Sequence, residues 1–189
     1  MPTGFKEWSF VCRALGHGAQ SLILRKGGIH EGRQGFWWKH DDFFLFPTHF
    51  HEQDQQFTWR PTDAAAGTAE PDAAAVEGQH TITLHARVEE KYQITDWSVV
   101  ERLAGHHFWT TETLRDRFDW SESQGISAAL VRVSRLSTPW TFPDERGYGG
   151  CRSWLTLPEL PAGTTLTPVL DESAHVSRME ALRRVLIGQ

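Results

Sequence analysis

The sequence predicts an α+β protein with a compact, strongly curved mixed β-sheet or small barrel and flanking helices. One observation is the alternation over 81–88, where Ile82, Leu84, Ala86 and Val88 would share one face of a strand. Another is the presence of segments with helical spacing before, between and after the predicted strands. The order helix, strands, two helices, strands, helix leaves room for such a sheet, and no internal repeat is visible.

Glycines and prolines separate the first of the expected elements. Gly16 and Gly18 would end the first helix, Gly27 and Gly28 the first strand, and Pro47 the second strand. The expected elements, in chain order, are a helix over 5–15, strands over 21–26, 43–46 and 81–88, helices over 97–103 and 110–118, strands over 127–136 and 152–157, and a helix over 173–187.

Polar caps and apolar stripes support the expected helices. Asp96 and Thr110 stand where a side-chain oxygen would accept a hydrogen bond from the first turn of each central helix. The last helix is expected to bury one stripe, formed by Val176, Met179, Leu182 and Leu186.

The chain of 189 residues is long enough for one domain with a full core, and residues 1–189 are expected to form a single domain. Residues 61–79 are rich in Ala, Gly and Pro and contain no aromatic residue. That composition indicates a flexible surface loop or linker within the domain.

Charge and cysteine content limit the classes of partner and compartment. The net charge of −5 argues against a tight, non-specific grip on duplex nucleic acid, although residues 1–40 carry a charge of +4 and could meet an anion. No apolar run approaches membrane-spanning length, so no membrane association is expected. Cys12 and Cys151 are far apart and form no CxxC pair, which favours reduced thiols and a cytoplasmic location.

A glycine-containing basic segment is a candidate anion site. Arg25, Lys26 and Arg33 surround Gly27 and Gly28. Glycine allows backbone N–H groups to approach an anion, and the cations supply charge for a phosphate or carboxylate. A tight hairpin turn with solvated basic edges explains the same residues equally well.

Nine Trp and eleven Phe exceed what the core of one small domain needs. Trp37, Trp38 and Trp109 are therefore candidates for stacking on unpaired bases beside the basic segment. The alternative is that they fill the core and its rim.

The segment 36–52 combines aromatic rings with titratable side chains, and its end is a candidate site for a divalent metal. His49 and His51 would share one face of a strand, and Asp42 could complete the ligand set. His107 and Glu52 are candidates for proton transfer. A polar loop after Pro47, and ordinary packing of His107, are the structural alternatives.

Several short motifs resemble a bacterial family known only as a domain of unknown function. The matching pieces span nearly the whole chain outside the linker and comprise Lys6-Glu7-Trp8, Leu24-Arg25-Lys26-Gly27-Gly28-Ile29, Phe44-Leu45-Phe46-Pro47-Thr48, His106-His107-Phe108-Trp109-Thr110, Arg117-Phe118 and Gly150-Cys151-Arg152-Ser153-Trp154. The resemblance implies no activity, because none can be stated for the family.

The order of elements also resembles small barrels of the pseudouridine-synthase-and-archaeosine-transglycosylase (PUA) type and the related ASCH-like domains. A glycine-ended turn next to a Leu-Arg-Lys strand, then the strand 81–88, a helical excursion and the strand 127–136 carry this resemblance. It implies binding of RNA or of modified bases, although a shared architecture does not establish function.

Two hypotheses from different classes follow. The first is a module that binds a nucleic-acid strand, a modified base or a nucleotide anion, with the basic segment on phosphate and the tryptophans stacking on bases. The second is a metal-dependent hydrolase or nuclease that uses His49, His51 and a nearby carboxylate. The enzyme requires these ligands to converge on one point, whereas the binder requires rings and arginines along an open groove. The oligomeric state stays open.

Overall fold

A computed structural model describes residues 1–26, 36–49, 53–60, 77–120 and 124–188. Over these residues the chain forms an α+β fold, as predicted. The elements, in chain order, are β1 (Thr3–Trp8), α1 (Ser9–Gly16), β2 (Leu22–Arg25), β3 (Asp42–Thr48), α2 (Gln53–Gln56), β4 (Gln79–Ile94), α3 (Trp97–Arg102), α4 (Thr111–Asp119), β5 (Ile126–Pro143), β6 (Trp154–Thr156), β7 (Leu166–Pro168) and α5 (Glu172–Ile187).

One curved, unclosed mixed sheet connects the strands in the order β2-β5-β4-β3-β1-β6, and β7 pairs with β5 beside this path. Strands β1 and β3 are parallel, whereas every other pairing between the described strands is antiparallel. The predicted curved mixed sheet is therefore confirmed. A side chain spans the two ends of the path: Arg25, the last residue of β2, donates from Nη2 to Ser153 Oγ, just before β6, at 2.9 Å.

The long pair β4–β5 forms the middle of the sheet. Its ladder extends from the pair Gln79–Pro143 to the pair Ile94–Ile126, with register shifts after Ile82 and after Val88. Such irregularities increase local twist and bend a strand. They help the sheet to curve, so that β2 and β6 face each other.

Two apolar clusters fill the structure. The larger one joins strands β1 through β5 with helices α1, α3, α4 and α5. The smaller one lies at the Gln79–Pro143 end of the β4–β5 pair and is formed by Phe44, Phe46, Ile82, Leu136, Trp140, Phe142, Tyr148, Leu155 and Leu157. Much of the aromatic content predicted to exceed core needs is therefore buried in one of the two clusters.

The predicted first helix is wrong in its first half. Residues 5–8 belong to β1, and only Ser9–Gly16 is helical. Parallel pairing with β3, in which Phe5 faces Leu45, outweighs the local helical spacing. This change places Glu7 on a strand whose alternate residues Phe5 and Glu7 are both buried.

The central helices begin as predicted. Asp96 accepts a hydrogen bond from the backbone N–H of Ser98, and Thr110 from that of Thr113. Helix α5 also lies where expected, but Val176 is 44% exposed and His175 takes its place in the buried stripe with Met179 and Leu182.

Most of the predicted linker, residues 61–76, lies outside the described residues. Its predicted end is set too late, because Gly78 has a φ of +76° in a turn and β4 begins at Gln79. Within the described part of the chain, every helix is too short or too polar to cross a bilayer.

Candidate functional site

The two ends of the sheet path meet at a group of polar residues from distant parts of the chain. We call Glu7, Arg25, Arg117, Ser153 and Trp154 the seam cluster. Strand β1 supplies Glu7, β2 supplies Arg25, and α4 supplies Arg117. Ser153 directly precedes β6, and Trp154 begins it.

Glu7 is a buried carboxylate at the centre of the seam cluster. It is 1% exposed, and Oε1 accepts a hydrogen bond from the backbone N–H of Trp8 at 2.8 Å. Arg25 Nη1 lies 3.6 Å from the same oxygen. Because Arg25 Nη2 donates to Ser153, the guanidinium bridges β1 and the segment before β6. One cation and one anion are thus held together in a mostly dehydrated place.

Arg117 adds a second cation beside this pair. Its guanidinium lies 3.8 Å from the ring centroid of Trp109 and 4.9 Å from that of Trp8, and these two indoles pack edge-to-face on each other at 4.7 Å, so it lies against an indole pair. Burial lowers the pKa of Arg117 to about 10. The nearby charge of Arg25 adds to this shift, and that of Glu7 opposes it. The side chain therefore stays cationic at neutral pH.

The local backbone explains how Trp109 comes to Arg117. Trp109 forms an isolated antiparallel bridge with Phe57. The backbone N–H of Thr58 donates to the carbonyl of Phe108 at 2.8 Å, and that of Thr110 donates to the carbonyl of Gln56 at 3.0 Å. Thr110 then caps α4, whose second turn carries Arg117.

Packed aromatic rings form one side of the seam cluster. The Phe5 ring is 5.1 Å from the Arg25 guanidinium, and its centroid is 4.7 Å from that of Trp154. Phe36 and Trp38 extend the same wall, with Trp38 Nε1 donating to Ser127 Oγ at 2.9 Å. The charged groups therefore lie against a dry surface, where electrostatic interactions are stronger than in water.

Three buried polar atoms of the seam cluster have no hydrogen-bond partner within the described ranges. They are Glu7 Oε2, Arg25 Nε and Trp154 Nε1. A buried polar atom without a partner costs about 1–3 kcal/mol, and native structures contain few of them. Unsatisfied groups that gather at one place are typical of sites completed by a ligand.

The structure separates the predicted anion-binding residues. Arg25 belongs to the seam cluster, whereas Lys26 Nζ donates to the carbonyls of Phe118 at 3.1 Å and Gly125 at 3.0 Å. Burial lowers the pKa of Lys26. The described contacts of Lys26 connect the end of β2 to the segments around α4 and β5. Arg33 lies outside the described residues.

The predicted stacking tryptophans have three different environments. Trp109 is 5% exposed and covers Arg117, and Trp38 is 5% exposed within the aromatic wall. Trp37 is 75% exposed. The fold thus brings Arg25, Trp38 and Trp109 to one region, and Trp37 presents its ring to solvent.

The structure does not bring Asp42 and His49 together. Asp42 begins β3 and lies 3.2 Å from Arg87 Nε, with His85 Nε2 at 3.7 Å. His49 is exposed and follows the end of β3, so seven residues of extended chain separate the two by roughly 20 Å. The third candidate, His51, lies outside the described residues. Among described side chains, no group of three His, Cys, Asp or Glu residues could hold a metal ion.

His107 is the predicted proton-transfer residue that the structure describes, since Glu52 lies outside the described ranges. Both ring nitrogens of His107 are buried and lack a hydrogen-bond partner among the described residues. Burial lowers the pKa of His107 to about 4, and His106 adds to the shift. The imidazole is therefore neutral at pH 7, and it could accept a proton but holds none to donate as a cation.

Composition and spacing missed Glu7, Arg117, Ser153 and Trp154 as site residues. Each of them stands in one of the short motifs that carry the family resemblance: Lys6-Glu7-Trp8, Arg117-Phe118 and Gly150-Cys151-Arg152-Ser153-Trp154. Those motifs were the available signal. Composition and spacing could not reveal the cluster, because its residues are far apart in sequence and meet only where the sheet curves.

The model of a protein family described as Domain of unknown function (DUF1802) matches residues 4–181. The chain belongs to this family. The resemblance predicted from the short motifs is thereby confirmed. Membership in DUF1802 assigns no activity, and comparison with the curated proteins gives no match.

Among solved structures, this DUF1802 chain is similar to an ASCH protein from Zymomonas mobilis, at 13% identity and a TM-score of 0.43, with 96% of this chain and 94% of the other covered. Two single-residue variants of that protein give 13% and 14% identity and TM-scores of 0.45 and 0.43. They cover 96% of this chain and 95% and 97% of their own. The neighbours are ASCH proteins, as the architectural resemblance predicted. At this identity and with these TM-scores, the likeness says nothing about ligand or activity.

Proposed function

We propose that the protein binds a nucleotide or a single strand of nucleic acid at the seam cluster, with Arg117 on a phosphate group. The observation that carries this proposal is the state of Arg117. Its guanidinium packs against the rings of Trp8 and Trp109, yet it has no hydrogen bond or ion pair with any residue in the described part of the chain.

The charge of the seam cluster supports an anionic ligand. Glu7 supplies one negative charge, and Arg25 and Arg117 supply two positive charges, so within this group of described residues the cations exceed the anions by one. A half-buried guanidinium keeps its planar fork of N–H donors, which matches the oxygens of a phosphate. Phosphate would offset the desolvation that lowers the pKa of Arg117.

The aromatic surroundings favour a nucleotide over a free inorganic anion. The rings of Phe5, Phe36 and Trp154 lie beside Arg25. Such rings gain little from a small hydrated ion, whereas a base offers a flat apolar face and polar edges.

Cys12 and Cys151 are both free thiols, so a reducing cytoplasm is the compartment that we expect for this protein.

Binding of fluorescein-labelled single-stranded RNA, measured by fluorescence anisotropy at several salt concentrations, tests the proposal. Arg117→Met removes the charge and keeps an apolar side chain against the two indoles, and we expect it to weaken binding at least tenfold. It should also reduce the salt dependence of binding.

Arg115→Met is the matched control on the same helix, because Arg115 is exposed and pairs with Asp119 at 2.6 Å. We expect its affinity to stay within about twofold of the unmodified protein. Absence of binding by the unmodified protein, or an equal loss in both variants, would contradict the proposed function.

A further inference from the structure

Resting on the proposed function, we infer that the seam cluster takes a pyrimidine base, with Glu7 accepting from its N–H group and Arg25 and Trp154 donating to its two acceptor atoms. The three unpartnered atoms of the cluster define this requirement. Glu7 Oε2 is an acceptor, and Arg25 Nε and Trp154 Nε1 each carry one hydrogen to donate.

These atoms belong to side chains that share one small region. Arg25 and Trp154 both pack on the ring of Phe5. Glu7 follows Phe5 by two residues on β1, so the two side chains point to the same side of the strand. Glu7 Oε1 also lies within ion-pair distance of Arg25. A single planar ring with polar atoms along one edge is the kind of group that could meet all three.

The numbers of donors and acceptors discriminate between the bases. Uracil presents acceptor, donor, acceptor along its pairing edge, and cytosine presents donor, acceptor, acceptor. Both therefore offer one donor group and two acceptors, the numbers that the three atoms of the seam cluster require, in a different order along the edge. Guanine offers one acceptor and two donor groups, and adenine offers a single ring acceptor beside its amino group. A purine would leave one buried atom of the protein unpaired, and that is the most effective basis for rejection in a closed polar site.

Glu7 also decides which part of the nucleotide enters. A phosphate group has only acceptor oxygens at neutral pH, so it would face Glu7 Oε2 with repulsion and no hydrogen bond. The base is therefore the group directed to Glu7, and the phosphate stays beside Arg117. This arrangement uses both kinds of unsatisfied group in the cluster.

Entry requires small movements at the rim. Glu7 is 1% exposed, whereas Trp8 and Trp154 are half-buried. The rim side chains have to move before a base can reach Glu7, and we expect association to be slower than an electrostatically steered encounter.

Short single strands of uridylate, cytidylate and adenylate and an alternating guanylate–adenylate strand test the inference in the same anisotropy measurement. We expect both pyrimidine strands to bind about tenfold more tightly than either purine strand. Equal binding of all four strands, or a preference for purines, would overturn the pyrimidine assignment and leave the proposed function standing. Failure of all four strands to bind would instead refute the proposed function.

Trp154→Phe sharpens the test, because it removes the unpartnered Nε1–H and keeps a ring on Phe5. We expect this variant to lose most of the pyrimidine preference, about a fivefold change, and to keep its weaker, phosphate-dependent binding. Trp140→Phe is the matched control in the smaller apolar cluster and should keep the full preference. If Trp154→Phe keeps the full preference, Trp154 does not donate to a base. Circular dichroism and unfolding midpoints check that both variants fold.

Discussion

The seam cluster and the contact of helix α5 with the sheet contain the same kinds of residue but differ in how their polar groups are satisfied. In the α5 contact, His175 lies 3.0 Å from Glu89, Arg183 and Tyr92 both donate to Glu90, and Arg132 donates to Glu172. Each carboxylate there has a polar partner, as Glu7 has through Oε1 in the seam cluster. In the seam cluster, Glu7 Oε2, Arg25 Nε and Trp154 Nε1 have none among the described residues.

The glutamate side chains of the two regions also differ in their exposure to solvent. The side chains of Glu89, Glu90 and Glu172 are 26%, 28% and 70% exposed, whereas that of Glu7 is 1% exposed. Partly hydrated ion pairs orient a helix and contribute little free energy. A dehydrated carboxylate beside Arg25 combines a large desolvation cost with a strong Coulombic attraction, and a ligand could relieve the part of the cost that Arg25 does not offset. Pairing and burial, more than residue type, therefore distinguish a docking contact from a candidate site.

The largest expected effect comes from removing the anion of the seam cluster. Glu7→Leu leaves Arg25 and Arg117 without a counter-ion in a mostly dehydrated place. We expect the free energy of unfolding to fall by about 3–5 kcal/mol, measured by urea denaturation at pH 7.

Glu89→Leu is the control for this variant in the α5 contact. The Glu89 side chain is 26% exposed, and we expect a loss of only about 1 kcal/mol. Equal losses in the two variants would show that the two regions do not differ in the way described.

The second largest effect concerns acid stability. The pKa of His107 is about 4 in the folded protein and 6.5 is its ordinary value. The lowered pKa contributes stability that is fully present above pH 6.5 and is lost as the pH falls towards 4, roughly 3 kcal/mol in total.

His107→Leu should remove this contribution, so its unfolding free energy should fall less between pH 7 and pH 4 than that of the unmodified protein. The neighbouring His106→Leu is the control. The pKa of His106 is also lowered by burial and by Arg178, but less strongly, so a smaller difference is expected. An unchanged pH profile in His107→Leu would mean that the acid sensitivity arises elsewhere.

A smaller effect is expected for stability when Arg117 is replaced. Arg117→Met removes a charge that has no acceptor in the described structure and keeps the contact with both indoles. We expect the free energy of unfolding to stay unchanged or to rise by about 1 kcal/mol, in contrast to its loss of binding. A large loss of stability would indicate that Arg117 is held for structural reasons.

The smallest effect is expected at the surface end of the α5 contact. Glu172→Gln removes the charge that pairs with Arg132 but leaves an amide able to accept the same hydrogen bond. We expect neither the unfolding midpoint nor RNA binding to change measurably. A marked loss of either would mean that the α5 contact is coupled to the seam cluster.

The fold class was predictable because periodicity and caps are local signals. The alternation around Ile82–Val88 and the caps Asp96 and Thr110 are recorded in neighbouring residues, and the structure confirms them. The first half of the predicted helix over 5–15 failed for a related reason. Its pairing partner β3 lies about 40 residues away, so the deciding interaction is invisible to a local pattern.

The candidate site was only partly predictable. Arg25 and Trp109 stood out from charge and aromatic content, and the curvature of the sheet brings them to one region. Glu7 and Arg117 looked like ordinary charged residues in the sequence. What distinguishes them is low exposure and polar atoms that have no hydrogen-bond partner among the described residues, and both arise only after the whole chain has folded.

The hydrogen bond from Arg25 to Ser153 joins residues 128 positions apart. A contact with so large a sequence separation forms late, because the intervening chain has to be ordered first. The binding competence of the seam cluster is therefore a property of the completed native state. A molecule that binds there binds the native state and not partly folded chains, so it should slow global unfolding. Its affinity could therefore be measured by amide hydrogen exchange in strands that it does not contact.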